Sequence, residues 1–229
     1  MDEAQVDRAK RRAGESAADE VRDGDVVGLG TGSTAAHAIR ALGEAVDAGL
    51  AVEGVPTSHQ SRALAREAGV PVVALSDVAR VDVAIDGADE TLPGGAALVK
   101  GGGAAHAREK VVDAAADRFL VVVDERKLAE PLAHPVPVEA LPAARSAVAA
   151  RVEELGGEPT LRAAERKSGP VVTDNGNLVF DCEFGVIEDP TRLAAELAAV
   201  PGVVEHGLFV GLADAVHVGG PADVRVTGR

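Results

Sequence analysis

Two runs decide the fold: Val81-Asp82-Val83-Ala84-Ile85-Asp86-Gly87-Ala88-Asp89-Glu90, and Val99-Lys100-Gly101-Gly102-Gly103-Ala104-Ala105-His106-Ala107-Arg108-Glu109-Lys110. The first five residues are a short apolar run that predicts a strand, and the strand ends abruptly in an acidic loop. Three glycines then open an alanine-rich helical run that carries Glu109. Carboxylates and one lysine therefore gather at a strand end and beside a glycine turn opening a helix, where open α/β sheets bind ligands. An acidic cluster alone reads equally as a solvated turn. The glycine triplet flanked by Lys100 and Glu109 argues against that.

Working outward, residues 3–21 place Ala4, Val6, Ala9, Ala13, Ala17 and Val21 on one helical face. A strand over 25–30 runs into Thr31-Gly32-Ser33-Thr34 and a helix over 35–48. Strands are predicted at 50–55, 70–75 and 119–123, with helices at 59–68 and from the glycine triplet to about 117. Continuous apolar strands alternating with helices predict an α/β fold, a mostly parallel sheet covered on both faces.

After Lys127 the texture changes. Pro131, Pro135, Pro137 and Pro142 mark a domain boundary. Beyond it come a helix at 143–155, short strands at 161–166 and 171–173, and Asn175-Gly176 as a hairpin turn into 178–180. A helix at 190–199 and a strand at 203–210 complete a small α+β unit. The tail segments 214–218 and 224–226 read as strands returning to the first sheet.

Composition narrows the function. Net charge is −14, with 37 Asp+Glu against 23 Lys+Arg, which disfavours nucleic acid and anionic membranes as partners. Only five of the cations are lysines, at 10, 100, 110, 127 and 167. Four Phe with no Trp or Tyr leave Val, Ala and Leu to fill the core. A lone cysteine, Cys182, rules out an internal disulfide and fits a reducing cytosol. No apolar run reaches the length of a membrane span. The six histidines show no metal-ligand spacing.

Gly28-Leu29-Gly30-Thr31-Gly32-Ser33-Thr34 is a glycine-rich strand-to-helix turn whose amides and hydroxyls suit a phosphate. It resembles a dinucleotide fingerprint with Ser33 in the third glycine position and Glu53 as ribose acid. A tight packing turn explains it too. A Walker loop is excluded, because no Gly-Lys-Ser/Thr follows. Thr57 and Ser58 read as helix caps that could also touch the ligand. Asp86, Asp89, Lys100 and Glu109 remain, a mixture suited to proton transfer on a polar substrate. Sugar-phosphate isomerisation, dehydration and simple binding all stay open at this point.

Four blocks carry a resemblance to the ribose-5-phosphate isomerases of the A type: residues 30–36, 86–90, 100–110 and 172–177. Shorter blocks at 137–139, 144–147 and 201–204 follow in the same order and extend it over nearly the whole chain. The resemblance implies an aldose–ketose isomerase of non-oxidative pentose phosphate metabolism. Such enzymes interconvert D-ribose 5-phosphate and D-ribulose 5-phosphate through an enediolate, with no metal or cofactor. It implies Glu109 as general base and Asp86 in ring opening and hydroxyl proton traffic. Asp89 would hold the sugar, and Lys100 would stabilise the developing oxyanion. Thr31, Gly32, Ser33, Thr34, Gly87, Ala88, Gly101, Gly102, Gly103 and Lys127 would complete the substrate shell. It further implies a doubly wound Rossmann-like domain, 1–130 plus 206–229, and a ferredoxin-like domain, 131–205. A cytoplasmic homodimer or homotetramer is implied as well. A sugar-phosphate sensor and a deaminating sugar-phosphate isomerase are the rival readings, but the chain shows no helix-turn-helix and no basic face.

Acid excess with scarce lysine also fits a protein working in concentrated salt, which screens self-repulsion. The melting temperature is therefore expected to rise with added KCl. A salt-indifferent melting curve would refute this reading.

Overall fold

The computed structural model describes residues 1–228; Arg229, the last residue of the expected tail, lies outside the described residues. Helix α1 (Glu3–Ala18) starts at Asp2, whose carboxylate accepts from the Gln5 amide. It is followed by β1 (Val26–Leu29), α2 (Ser33–Asp47), β2 (Glu53–Pro56) and α3 (His59–Glu67). Next come β3 (Val81–Gly87), β4 (Glu90–Thr91), β5 (Ala97–Val99), α4 (His106–Ala115) and β6 (Ala116–Asp124). The next group is β7 (Val136–Ala140), α5 (Arg145–Glu154), β8 (Glu158–Leu161), β9 (Leu178–Glu183), α6 (Pro190–Ala198) and β10 (Val203–His206). β11 (Leu208–Val210), β12 (Ala215–Gly219) and β13 (Val224–Gly228) end the chain.

The main sheet has the order β13-β12-β6-β3-β1-β2, parallel except for the β12–β13 edge pair. Its central strands β1, β3, β6 and β12 are largely buried on both faces. In β6, Leu120 and Val122 pack with Ile39 and Leu42 of α2, while Phe119, Val121 and Val123 pack with Leu98 and Phe209 on the opposite face. Helix α2 carries the chain from β1 outward to β2, whereas α4 carries it from β3 the other way to β6. Strand order therefore reverses between β1 and β3, and a crevice opens at their carboxyl ends. Leu29 and Asp86 stand at that rim.

A second sheet, β10-β7-β9-β8, is wholly antiparallel and carries α5 and α6. Its chain order, β7-α5-β8-β9-α6-β10, is the ferredoxin-like arrangement. A third small sheet, β11-β5-β4, joins the two. The fold class is thus a doubly wound α/β sheet with a smaller ferredoxin-like α+β sheet.

Local differences from the sequence reading have local causes. Residues 70–75 form no regular strand: Pro71 lacks an amide hydrogen, and the segment meets β2 only around Gly54 before turning into a short 3₁₀ turn. The strand expected over 161–166 lies earlier, at Glu158–Leu161. Residues 171–173 supply a single bridge, Val172 to Leu178. The strand expected over 203–210 is split at Gly207 between two sheets.

The turn at 173–177 is held from below. Glu139 on β7 is 1% exposed, and its Oε1 accepts from Thr173 Oγ1 (3.0 Å), Asn175 Nδ2 (3.0 Å) and Asn177 Nδ2 (2.7 Å). The same turn reaches the main sheet, where Asp174 accepts from the His59 amide at 2.7 Å and Asn175 from Arg108 Nε at 2.7 Å. Glu139→Ala strands these donors in the interior and is expected to cost about 1–3 kcal/mol. An unchanged denaturation midpoint would refute it.

Candidate active site

At the β1/β3 rim a cavity of about 140 Å³ is lined by Thr31, Gly32, Ser33, Thr34, Gly87, Ala88, Asp89, Lys100, Gly101, Gly102, Gly103, Glu109, Lys127 and Lys10. Every residue expected in the site lines it except Asp86, which is fully buried just beneath. Asp86 is set there by the strand end: its Oδ1 accepts from the Thr31 amide at 3.1 Å and the Gly87 amide at 2.6 Å. Gly30 must be glycine to allow this, since a Cβ there would lie 2.2 Å from the Asp86 carboxyl.

Lys100 follows β5 and points under the cavity floor. Its Nζ is 3.0 Å from Asp86 Oδ2 and 3.4 Å from Glu109 Oε2, donates to the Gly87 carbonyl, and lies 5.4 Å from the Phe209 ring centre. Its backbone amide is held by the Gly207 carbonyl at 2.8 Å. The chain then turns through Gly101, whose φ of 109° favours glycine, and enters α4, which carries Glu109 in its first turn. Asp89 accepts from the Gly102 amide at 2.7 Å and so ties the acidic loop to the glycine turn.

Burial governs the electrostatics. Glu109 is 3% exposed, and burial first, then the Asp86 charge, push its carboxyl up to about 8. Burial also raises Asp86, against the pull of Lys100. Burial lowers Lys100, but the Asp86 and Glu109 charges outweigh it and hold the ammonium above its ordinary range. The floor thus holds a fixed cation beside a carboxyl that changes state near neutrality, the pairing acid–base chemistry needs.

Two participants, Lys10 and Arg162, escaped the sequence reading. Lys10 of α1 donates to Ser33 Oγ at 2.9 Å and brings a second ammonium to the Lys127 side. Thr31 Oγ1 lies 2.9 Å from Thr57 Oγ1 and donates to Ser58 Oγ at 2.7 Å, while Ser58 also caps α3. Arg162, just past β8, donates to the Gly101 carbonyl at 2.9 Å and the Gly102 carbonyl at 3.2 Å, and pairs with Asp181. The ferredoxin-like sheet thereby holds the glycine turn from behind. Among the described residues no group of three His, Cys, Asp or Glu is placed to hold a metal ion, and no helix is long and apolar enough to cross a membrane.

A doubly wound sheet whose switch-point cavity joins lysines, a glycine turn and a proton-exchanging carboxyl defines an enzyme that moves protons on a small anionic substrate. Residues 53–223 match the family described as Ribose 5-phosphate isomerase A (phosphoriboisomerase A). A Ribose-5-phosphate isomerase A of Haloarcula marismortui is 68% identical over 219 residues, covering 96% of this chain and 95% of that one. The Methanothermobacter thermautotrophicus protein of that name is 53% identical, covering 92% and 93%. Among solved structures, ribose 5-phosphate isomerase A from Methanocaldococcus jannaschii superposes with a TM-score of 0.92 at 43% identity, over 96% of this chain and 98% of that one. A D-ribose-5-phosphate isomerase in complex with phospho-erythronic acid gives 0.94 at 42%, over 98% and 99%. The chain belongs to the ribose 5-phosphate isomerase A family, enzymes that interconvert D-ribose 5-phosphate and D-ribulose 5-phosphate.

Because the Asp86 charge helps raise the Glu109 carboxyl, Asp86→Asn is expected to move the Glu109 titration from about 8 to lower pH. Carbon NMR of labelled glutamate reads this directly. A midpoint that stays put or climbs would contradict it.

Proposed function

We propose that Glu109 is the base of the isomerisation, with Lys100 as its electrostatic partner. The observation that carries this reading is the Lys100 ammonium, 3.0 Å from Asp86 and 3.4 Å from Glu109, at the cavity floor. On the open-chain aldose, the Glu109 carboxylate takes the proton from C2. The electron pair forms the C1–C2 double bond, and negative charge passes to the carbonyl oxygen O1. Lys100 stabilises that charge in a water-poor pocket, where a fixed ammonium acts strongly. Glu109, now a carboxylic acid, returns a proton to C1, while the hydroxyl proton on O2 leaves and O1 gains one. The reaction is redox-neutral within one molecule, so it asks for no cofactor, and we read it as metal-independent.

Asp86 lies below the wall, so its part in ring opening and hydroxyl proton traffic runs through the lysine it holds. Asp89 is on the wall and suits the sugar hydroxyls, with the turn Gly101–Gly103 and the Gly87–Ala88 backbone around it. The phosphate end lies at the α2 N-terminus, where Thr31 to Thr34 meet Lys10 and Lys127. The relative solved with phospho-erythronic acid supports a phosphorylated, sugar-sized ligand for this fold. That ligand joins a phosphate to a planar carboxylate, a stable likeness of an enediolate.

We also read the chain as two units, 1–130 plus the C-terminal tail and 131–205, because the antiparallel sheet uses only strands between Val136 and His206. Pentose phosphate metabolism in the cytoplasm is the setting these features fit. Self-association as a homodimer or homotetramer is supported by Val111 and Val204, which are exposed along one apolar groove, and light scattering decides it.

Glu109→Gln is expected to fold normally and to lose about 10²–10⁴-fold in kcat. The wild-type enzyme should keep its activity in EDTA. Since the base must be ionised, wild-type kcat/KM is expected to fall as pH drops through about 8. A loss under tenfold in Glu109→Gln would remove this residue from the role.

A further inference from the structure

Asp113 stands one turn beyond Glu109 on α4, on the same buried face. It is 2% exposed, and neither of its carboxyl oxygens has a hydrogen-bond partner among the described residues. Asp86, Lys100 and Glu109 all act on it electrostatically. One buried region thus holds one ammonium and three carboxyls, drawn from β3, the end of β5 and α4.

Ionising all three carboxyls would leave two negative charges uncompensated in the interior, where unpaired charge is strongly disfavoured. The pocket holds protons instead. Where they sit follows from the donors each carboxyl has. Asp86 has two backbone amides and Lys100. Glu109 has Lys100 alone, at 3.4 Å. Asp113 has no donor. Asp113 is therefore the carboxyl that stays protonated when Glu109 is ionised, and burial pushes it well above the usual carboxylate range.

Resting on the reading of Glu109 as base, we propose that Asp113 is an internal proton store for that base. Once Glu109 has taken the C2 proton, two neutral carboxylic acids stand one turn apart on the buried face of α4. Asp113 makes no hydrogen bond to Glu109 in the structure, so they trade protons across one bridging water. Asp113 gives its proton to Glu109 and receives the substrate-derived one in the same exchange. No net charge moves, and both acids end neutral as they began. Glu109 then delivers to C1 a proton that came from Asp113, and the hydrogen taken from C2 passes to solvent between turnovers. Asp113 never touches the sugar; it acts only through Glu109.

The test is isomerisation of ribose 5-phosphate in D₂O, with deuterium at C1 of ribulose 5-phosphate read by mass spectrometry at matched low conversion. The reading is taken per product molecule, so it does not depend on how far kcat changes. Wild-type enzyme is expected to place deuterium at C1. Asp113→Asn, neutral and of the same shape, is expected to reduce that deuterium severalfold, the C2 hydrogen then passing straight to C1. Asp113→Leu supplies the same reading if the amide variant folds poorly. Equal deuterium in variant and wild type overturns the store, as does a wild-type product free of deuterium. Full turnover in Glu109→Gln would instead overturn the base, a distinct result.

Discussion

The buried ammonium of Lys100 is the constraint around which the rest of the structure is arranged. A lone cation in an apolar interior is prohibitively costly, and a lone carboxylate no less so. Here each makes the other tolerable, and the fold fixes both by backbone. Asp86 is held by two amides at a strand end, Lys100 by the Gly207 carbonyl, and Glu109 by the first turn of α4. The geometry does not depend on flexible side chains finding one another. Such preorganisation lets an enzyme meet developing charge without reorganising.

The glycine turn is clamped between the two sheets. Asp89 takes the Gly102 amide from the cavity side, while Arg162 takes the Gly101 and Gly102 carbonyls from behind. Arg162 is itself locked to Asp181, and its fork geometry is one a lysine would not reproduce. The carbonyls of Gly101 and Gly102 are thus engaged on the side away from the Asp89 contact. The Glu139-anchored turn adds a second tie, through Asp174 and Asn175 to α3 and α4. The ferredoxin-like sheet therefore contributes shape and rigidity to a cavity it does not line.

Much of this was legible in the chain because the informative residues are close in sequence. Asp86 marks a strand end, the glycine triplet marks a helix start, and Glu109 falls in that helix's first turn, so the single stretch from 86 to 109 specifies the floor. Lys10 was not legible: its partner Ser33 lies 23 residues away on another helix, and nothing local sets this lysine apart from the arginines beside it on α1. Arg162 was hidden likewise, 60 residues from the carbonyls it holds. Asp113 did leave a signal, four residues after Glu109, but the spacing means something only once that helical face is known to be buried. The missing strand at 70–75 shows propensity overridden by context, a β-rich run interrupted by Pro71 at a sheet edge. The break at Gly207 reflects two sheets competing for one segment.

Gly207 and Phe209 also set the order in which the enzyme becomes competent during synthesis. Every cavity residue lies within the first 127 positions, yet the segment that seats Lys100, by the Gly207 carbonyl and the Phe209 ring, comes some eighty residues later. A ribosome-bound chain can pair β1, β3 and β6 while its lysine still has no fixed seat. The last ties on this lysine are therefore supplied by nearly the last part of the polypeptide to emerge.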